Sequence, residues 1–138
     1  MKQPPFHLSL PCFQIEETRE FYVKKIGANP GRQSSNWIDI DLFGHQITFT
    51  KSGDFNFDFK SYKFDDLVLP SFHFGLIVPK ETWVALYARL NENTAGFSSE
   101  MKFLNGKKGE HRSFFVKDPN GYTLEFKCFT QNEDIFAS

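Results

Sequence analysis

The chain has 138 residues and a formal net charge of −1, a size that suits one domain around one core. It has no dense basic run and no apolar stretch near the roughly 20 residues of a membrane span, which counts against nucleic-acid and membrane partners. Hydrophobic residues make up 40%, and the 18 Phe, 4 Tyr and 2 Trp supply material for a core and for the walls of a small-molecule pocket.

In chain order, Phe6 to Phe13 is a short apolar run entered through Pro4 and Pro5, and it predicts a first strand. The start, Met1 to Pro5, leads into a run too short and interrupted for a signal peptide, so the expected location is the cytoplasm. Glu16 to Gly27 predicts a helix: Phe21, Tyr22 and Ile26 share a face, acidic residues open it, lysines close it, and Gly27 stops it. Three strand candidates follow. Gly31 to Ser35 is weak and polar, Asn36 to Leu42 sets Trp37, Asp39 and Asp41 against Ile38, Ile40 and Leu42, and His45 to Thr50 alternates again. Lys51 to Pro70 has no clean period and reads as a connection.

From Ser71 the pattern repeats. Phe72 to Val78 predicts a strand, and Pro79 to about Asn91 or Asn93 a helix with Trp83, Leu86 and Leu90 on one face. Phe97 to Phe103, Glu110 to Lys117 and Tyr122 to Phe129 predict strands, the last two joined by the turn Asp118-Pro119-Asn120-Gly121. Thr130 to Ser138 is a polar tail. Cys12 and Cys128 have no metal-binding or redox spacing and lie in apolar runs, so they are expected as reduced, buried thiols.

The expected fold is therefore α+β: a single domain over 1–138 made of two βαβββ modules, about 5–50 and 71–129, joined by 51–70. Phe6-His7-Leu8 matches Phe72-His73-Phe74, and Gly44-His45-Gln46-Ile47-Thr48-Phe49 matches Gly121-Tyr122-Thr123-Leu124-Glu125-Phe126. His7 and His73 thus fall at equivalent points, and Glu125 falls where the first half has Thr48. If a pseudo-twofold axis relates the halves, their sheets meet as an open, incomplete barrel-like cavity with the helices outside. The two histidines and the glutamate would converge inside it. Two imidazoles and one carboxylate suit a borderline divalent metal and leave positions open for a substrate.

The paired Phe-His strand starts, Phe43-Gly44-His45-Gln46, and the run from Phe115 to Phe126 with its Asp-Pro-Asn-Gly-Tyr-x-x-Glu stretch resemble the vicinal oxygen chelate superfamily. That group includes glyoxalase I, extradiol ring-cleaving dioxygenases and the bleomycin and fosfomycin resistance proteins. The resemblance covers nearly the whole chain and implies one divalent metal ion (Fe, Mn, Ni, Co or Zn) held by His7, His73 and Glu125. Glyoxalase I has a fourth ligand, a glutamate, near the position of Thr48, so this chain departs from it there. The two-His, one-Glu triad is similar to that of the extradiol dioxygenases, which are usually longer and carry further catalytic residues.

The remaining polar candidates read as follows. His45 is out of phase with Gln46 and Thr48 and is expected to be structural. His111 is a candidate proton shuttle at the cavity mouth, Arg112 a candidate contact for an anionic substrate, and Trp37 and Thr48 candidate pocket walls. The function implied is a metal-dependent enzyme of the glyoxalase or dioxygenase type, possessing a substrate chelated through adjacent oxygens. The alternatives are a metal-free module that sequesters a small molecule, as bleomycin-resistance-like members do, and a relic or partner-binding domain. A homodimer is expected.

Overall fold

The computed structural model describes residues 3–57, 59–64, 66–91 and 97–137. The chain divides into two compact units, Met1–Phe57 and Asp58–Ser138. Each contains one βαβββ module, and neither four-stranded sheet closes on itself. None of the described helices is long and apolar enough to cross a membrane.

In the first unit the elements are β1 (His7–Cys12), α1 (Ile15–Arg19), β2 (Asn29–Gln33), β3 (Trp37–Leu42) and β4 (His45–Lys51). The sheet order is β1-β4-β3-β2, with β1 parallel to β4 and the other pairs antiparallel. The helix predicted as one regular element changes character: α1 continues into wider π-helical turns over Glu20–Ile26, where the adjacent Phe21 and Tyr22 are both buried. It stops at Gly27, whose φ of 91° is left-handed and so favours glycine, and the Ala28 N–H closes the end on the Tyr22 carbonyl. One face of the sheet, with Ile38, Ile40, Leu42, Ile47 and Phe49, forms the core under this helix; Tyr22 meets Phe49 at 4.9 Å between ring centroids. Alternation turns His7, Trp37, Asp39, Asp41, Gln46 and Thr48 to the other face.

In the second unit a hairpin precedes the module. β5 (Ser61–Phe64) and β6 (Leu67–Pro70) pair antiparallel. The sequence shows no period there because the strands have only four residues each, too few for alternation to register. The module follows as β7 (Phe74–Ile77), α2 (Lys80–Asn91), β8 (Ser98–Phe103), β9 (His111–Lys117) and β10 (Thr123–Phe129), in sheet order β7-β10-β9-β8. The helix end proposed at Asn93 lies outside the described residues. The helix α2 buries Trp83, Leu86 and Leu90, as its spacing predicts, and the Trp83 indole donates to the Phe126 carbonyl at 2.9 Å. Phe114, Val116, Leu124 and Phe126 are fully buried on the helix side. On the opposite side Leu69 of the hairpin packs with Phe103 and Phe115.

The turn after β9 is held by Asp118, a buried carboxylate that accepts from the Asn120 and Tyr122 N–H groups at 2.9 Å each. That turn fixes the start of β10, the strand that carries Glu125. Both cysteines are buried thiols outside any disulfide, one in each unit.

Candidate functional site

Strand register bears out the equivalences read from the repeat. In the first unit Ser9 pairs with Thr48; in the second Gly75 pairs with Glu125. Counting back two residues from each gives His7 and His73. His7 is the first residue of β1 and is exposed, while His73 sits one residue before β7 begins and is half-buried. Both flank edge strands of their own sheets.

Within the second unit His73 and Glu125 meet. Nε2 of His73 lies 3.0 Å from Oε1 of Glu125, a carboxylate only 5% exposed. The other ring nitrogen, Nδ1, lies 2.9 Å from the Pro70 carbonyl. A carbonyl only accepts, so Nδ1 carries the proton and Nε2 is the nitrogen aimed at the carboxylate. The last residue of the hairpin therefore sets the tautomer and ring orientation of a candidate ligand. In a neutral ring the Nε2 lone pair would face a carboxylate oxygen, which is repulsive; the arrangement is stable only with positive charge between them, a proton or a metal ion.

Gly75 allows this approach. A Cβ built there would overlap the Glu125 backbone carbonyl, so only glycine lets β7 pair so closely with β10. The Ser113 hydroxyl, on β9 and facing the same side as Glu125, is buried. His73, Glu125 and Lys127, with the backbone of Phe74 to Ile77, line one cleft of about 250 Å³.

In the first unit Thr48 does not stand free as a pocket wall. Its hydroxyl donates to Asp39 Oδ1 at 2.7 Å. Asp39 is buried, and its other oxygen accepts from Gln46 Nε2 at 3.3 Å and from Arg32 Nη2 at 3.2 Å. Where the second unit has its buried carboxylate on the last strand, the first has it one strand over, because Asp39 pairs directly with Thr48. Trp37 is half-buried beneath the Arg32 guanidinium, 5.6 Å from the ring centroid. His45 is structural, as its phase predicts: its Nδ1 accepts from the Phe6 N–H at 3.0 Å.

His111 and Arg112 border one cavity of about 330 Å³, separate from the cleft of His73 and Glu125, while their side chains start from opposite faces of β9. His111 shares the face of Glu125 but lies four strand residues from its cross-strand partner Phe115, roughly 13 Å along β9. Its ring is stacked between Phe103 and Phe129, with centroids at 5.1 and 4.7 Å. Arg112 turns to the helix side, where its guanidinium lies 4.2 Å from the Trp83 ring centroid and 3.7 Å from Glu100. Alternation explains it: Arg112 is in phase with Phe114 and Val116, the residues under α2. Among the described residues no group of three His, Cys, Asp or Glu side chains gathers within either unit.

Residues 5–126 match the family model described as the Glyoxalase/Bleomycin resistance protein/Dioxygenase superfamily. The chain belongs to that superfamily. A glyoxalase/bleomycin resistance protein/dioxygenase from Alicyclobacillus acidocaldarius is 27% identical, with a TM-score of 0.81 over 98% of this chain and 99% of that one. The fosfomycin resistance protein FosX from Listeria monocytogenes is 15% identical, with a TM-score of 0.68 over 97% and 98%. A protein described as oxidase ChaP-H2 is 15% identical, with a TM-score of 0.60 over 93% and 94%. At 15% identity the last two share the fold alone. A comparison with curated proteins finds no match.

The electrostatics of the His73–Glu125 pair follow from its geometry. The hydrogen bond to Glu125 raises the His73 pKa above its ordinary 6.5, helped by the Pro70 carbonyl and opposed by burial and by Lys127. Burial pushes the Glu125 carboxyl up, but His73, the Ser113 hydroxyl and the charge of Lys127 together outweigh it and the net shift is down from 4.5. The Ser113 hydroxyl acts on Glu125 from the neighbouring strand. In metal-free protein the raised His73 stabilises the fold fully below about 6.5, and that contribution fades as pH rises through the folded-state value. The lowered Glu125 stabilises fully above about 4.5, and that contribution fades as pH falls through its folded-state value. Urea midpoints of wild type and Glu125→Gln, measured in chelator across pH, should therefore differ most between these limits. A difference that does not change with pH would show that the pair is not ionised as described.

The sequence reading missed three participants: Asp39, Ser113 and Lys127. Asp39 was visible on the Trp37-Asp39-Asp41 face, opposite the face of Ile38 and Ile40. Ser113 and Lys127 are in phase with Glu125 on neighbouring strands, a signal available once the register of β9 with β10 is known.

Proposed function

We propose that this superfamily member is a divalent-metal-dependent enzyme of the glyoxalase/dioxygenase type, acting on a small substrate chelated through vicinal oxygens, with ring-cleaving oxygenation, isomerisation and lyase chemistry as the candidate reactions. His7, His73 and Glu125 are the ligands in this proposal. The supporting observation is the imidazole of His73, anchored through Nδ1 on Pro70 and presenting Nε2 to a buried carboxylate. That is the arrangement in which a histidine ligand is oriented by its other nitrogen. Two imidazoles and a carboxylate fit Fe, Mn, Ni, Co or Zn, and such an ion, when bound, polarises or binds adjacent substrate oxygens.

The chain's own residues supply the rest. Pro70 holds the His73 ring in place, and Ser113 lies beside Glu125. The Thr48 hydroxyl, at the position of the fourth ligand of glyoxalase I, is committed to Asp39. This supports a three-ligand site and argues against the glyoxalase I reaction. A homodimer is part of the proposal and is tested by light scattering.

The deciding experiment is elemental analysis of the purified protein, wild type beside His73→Ala. Near-stoichiometric metal in wild type and its loss in the variant support the site; iron or manganese favours oxygen chemistry, nickel or zinc isomerase or lyase chemistry. Absence of metal in both, even after incubation with each ion, rejects the enzyme reading in favour of a metal-free binding protein.

A further inference from the structure

Lys127 stands two residues beyond Glu125 on β10 and faces the same side of the sheet. It lines the cleft that holds His73 and Glu125, and it is half-buried. Among the described residues it makes no ion pair. The carboxylate nearest along its strand, Glu125, is taken by His73. An uncompensated ammonium beside a cation-binding pair is costly, because it repels any positive charge placed there.

Two neighbours define what belongs beside it. Ser113, the cross-strand partner of Lys127, is fully buried and lies outside the cleft lining, so it leaves the ammonium as the polar group on that side. Ile77 pairs with Lys127 on the other side and is 45% exposed within the same cleft, an apolar shelf next to the charge. A cation without an ion pair and an apolar shelf together suit a small organic anion. Two strand residues span about 7 Å, a distance that one substituted ring bridges.

Resting on the metal reading above, we propose that Lys127 binds an oxyanion group of the substrate, so that the site selects small organic acids carrying a charged oxygen group apart from the metal-chelating pair. The negative charge of the ligand then offsets the repulsion between Lys127 and the metal. Lys127 is a substrate-binding residue in this account and takes no part as a metal ligand.

The test compares catechol with 3,4-dihydroxybenzoate, which share the same vicinal hydroxyls and differ in the carboxylate. Binding of each to zinc-loaded protein is measured by calorimetry, and zinc affinity is measured separately by chelator competition. Wild type should prefer the dihydroxybenzoate by about tenfold or more. Lys127→Met should erase that preference and at the same time bind zinc several-fold more tightly, because a like charge has gone. A residue that merely supported the fold would weaken both. Lys127→Arg should keep both wild-type properties, which controls for folding. If Lys127→Met takes up zinc and retains the preference for the carboxylate, the inference is overturned while the metal site stands. If wild type takes up no metal, the metal reading fails and this inference falls with it.

Discussion

Glu125→Gln should lower the affinity for a divalent ion by at least about 100-fold, more than the loss typical of a residue acting from behind a ligand. The amide matches the carboxylate in shape, so packing in this buried position is kept while the charge is removed. The charge is what matters on both sides of the pair. It holds His73 above its ordinary pKa in metal-free protein, and it supplies the only anionic donor of the proposed ligand set. Calorimetric titration with manganese or zinc gives the affinity, and circular dichroism of the same samples confirms that the fold is retained. Equal metal affinity in a folded Glu125→Gln protein would remove Glu125 from the site and with it the three-ligand proposal.

Gly75→Ala should be the most damaging single methyl in the second unit. The added Cβ would collide with the Glu125 backbone carbonyl, and backbone cannot step aside as a flexible side chain can. β7 must separate from β10, with a stability loss of about 3 kcal/mol or more, the upper range for overpacking. For a chain of this size that corresponds to a fall in Tm of roughly 10 °C. Because His73 enters the site two residues before Gly75, metal binding should fall together with stability. A variant with wild-type Tm would show that the close approach of the two strands is not needed.

The legible part of this molecule was its repetition. Matching His7 with His73 and Thr48 with Glu125 needed only the sequence, and the register Ser9–Thr48 and Gly75–Glu125 puts the same residues in equivalent places. Long alternating runs such as Trp37 to Leu42 also declared their faces. What stayed hidden depended on contacts between segments distant in sequence. The β5–β6 hairpin is too short to carry a period, yet its Leu69 packs on Phe103 and Phe115 and its Pro70 carbonyl orients His73. Arg112, a candidate contact for an anionic substrate, lies over Trp83 of α2, a contact that needed the helix-to-sheet packing to be seen. Asp39 looked like one acidic residue among several until its pairing with Thr48 showed three side chains converging on it.

The two cysteines turn the molecule into its own pair of clocks. Cys12 is fully enclosed in the first unit and Cys128 is 7% exposed in the second, and neither is tied to the other. A thiol reagent reaches the enclosed Cys12 only when its module opens, whereas Cys128 borders a cavity of about 330 Å³ and is slowed rather than barred by its closed module. Peptide-resolved alkylation over time therefore follows the two modules separately, without an added label. Adding metal ought to slow the clock of the second module, where the proposed ligands His73 and Glu125 meet, since opening that module would then cost binding energy.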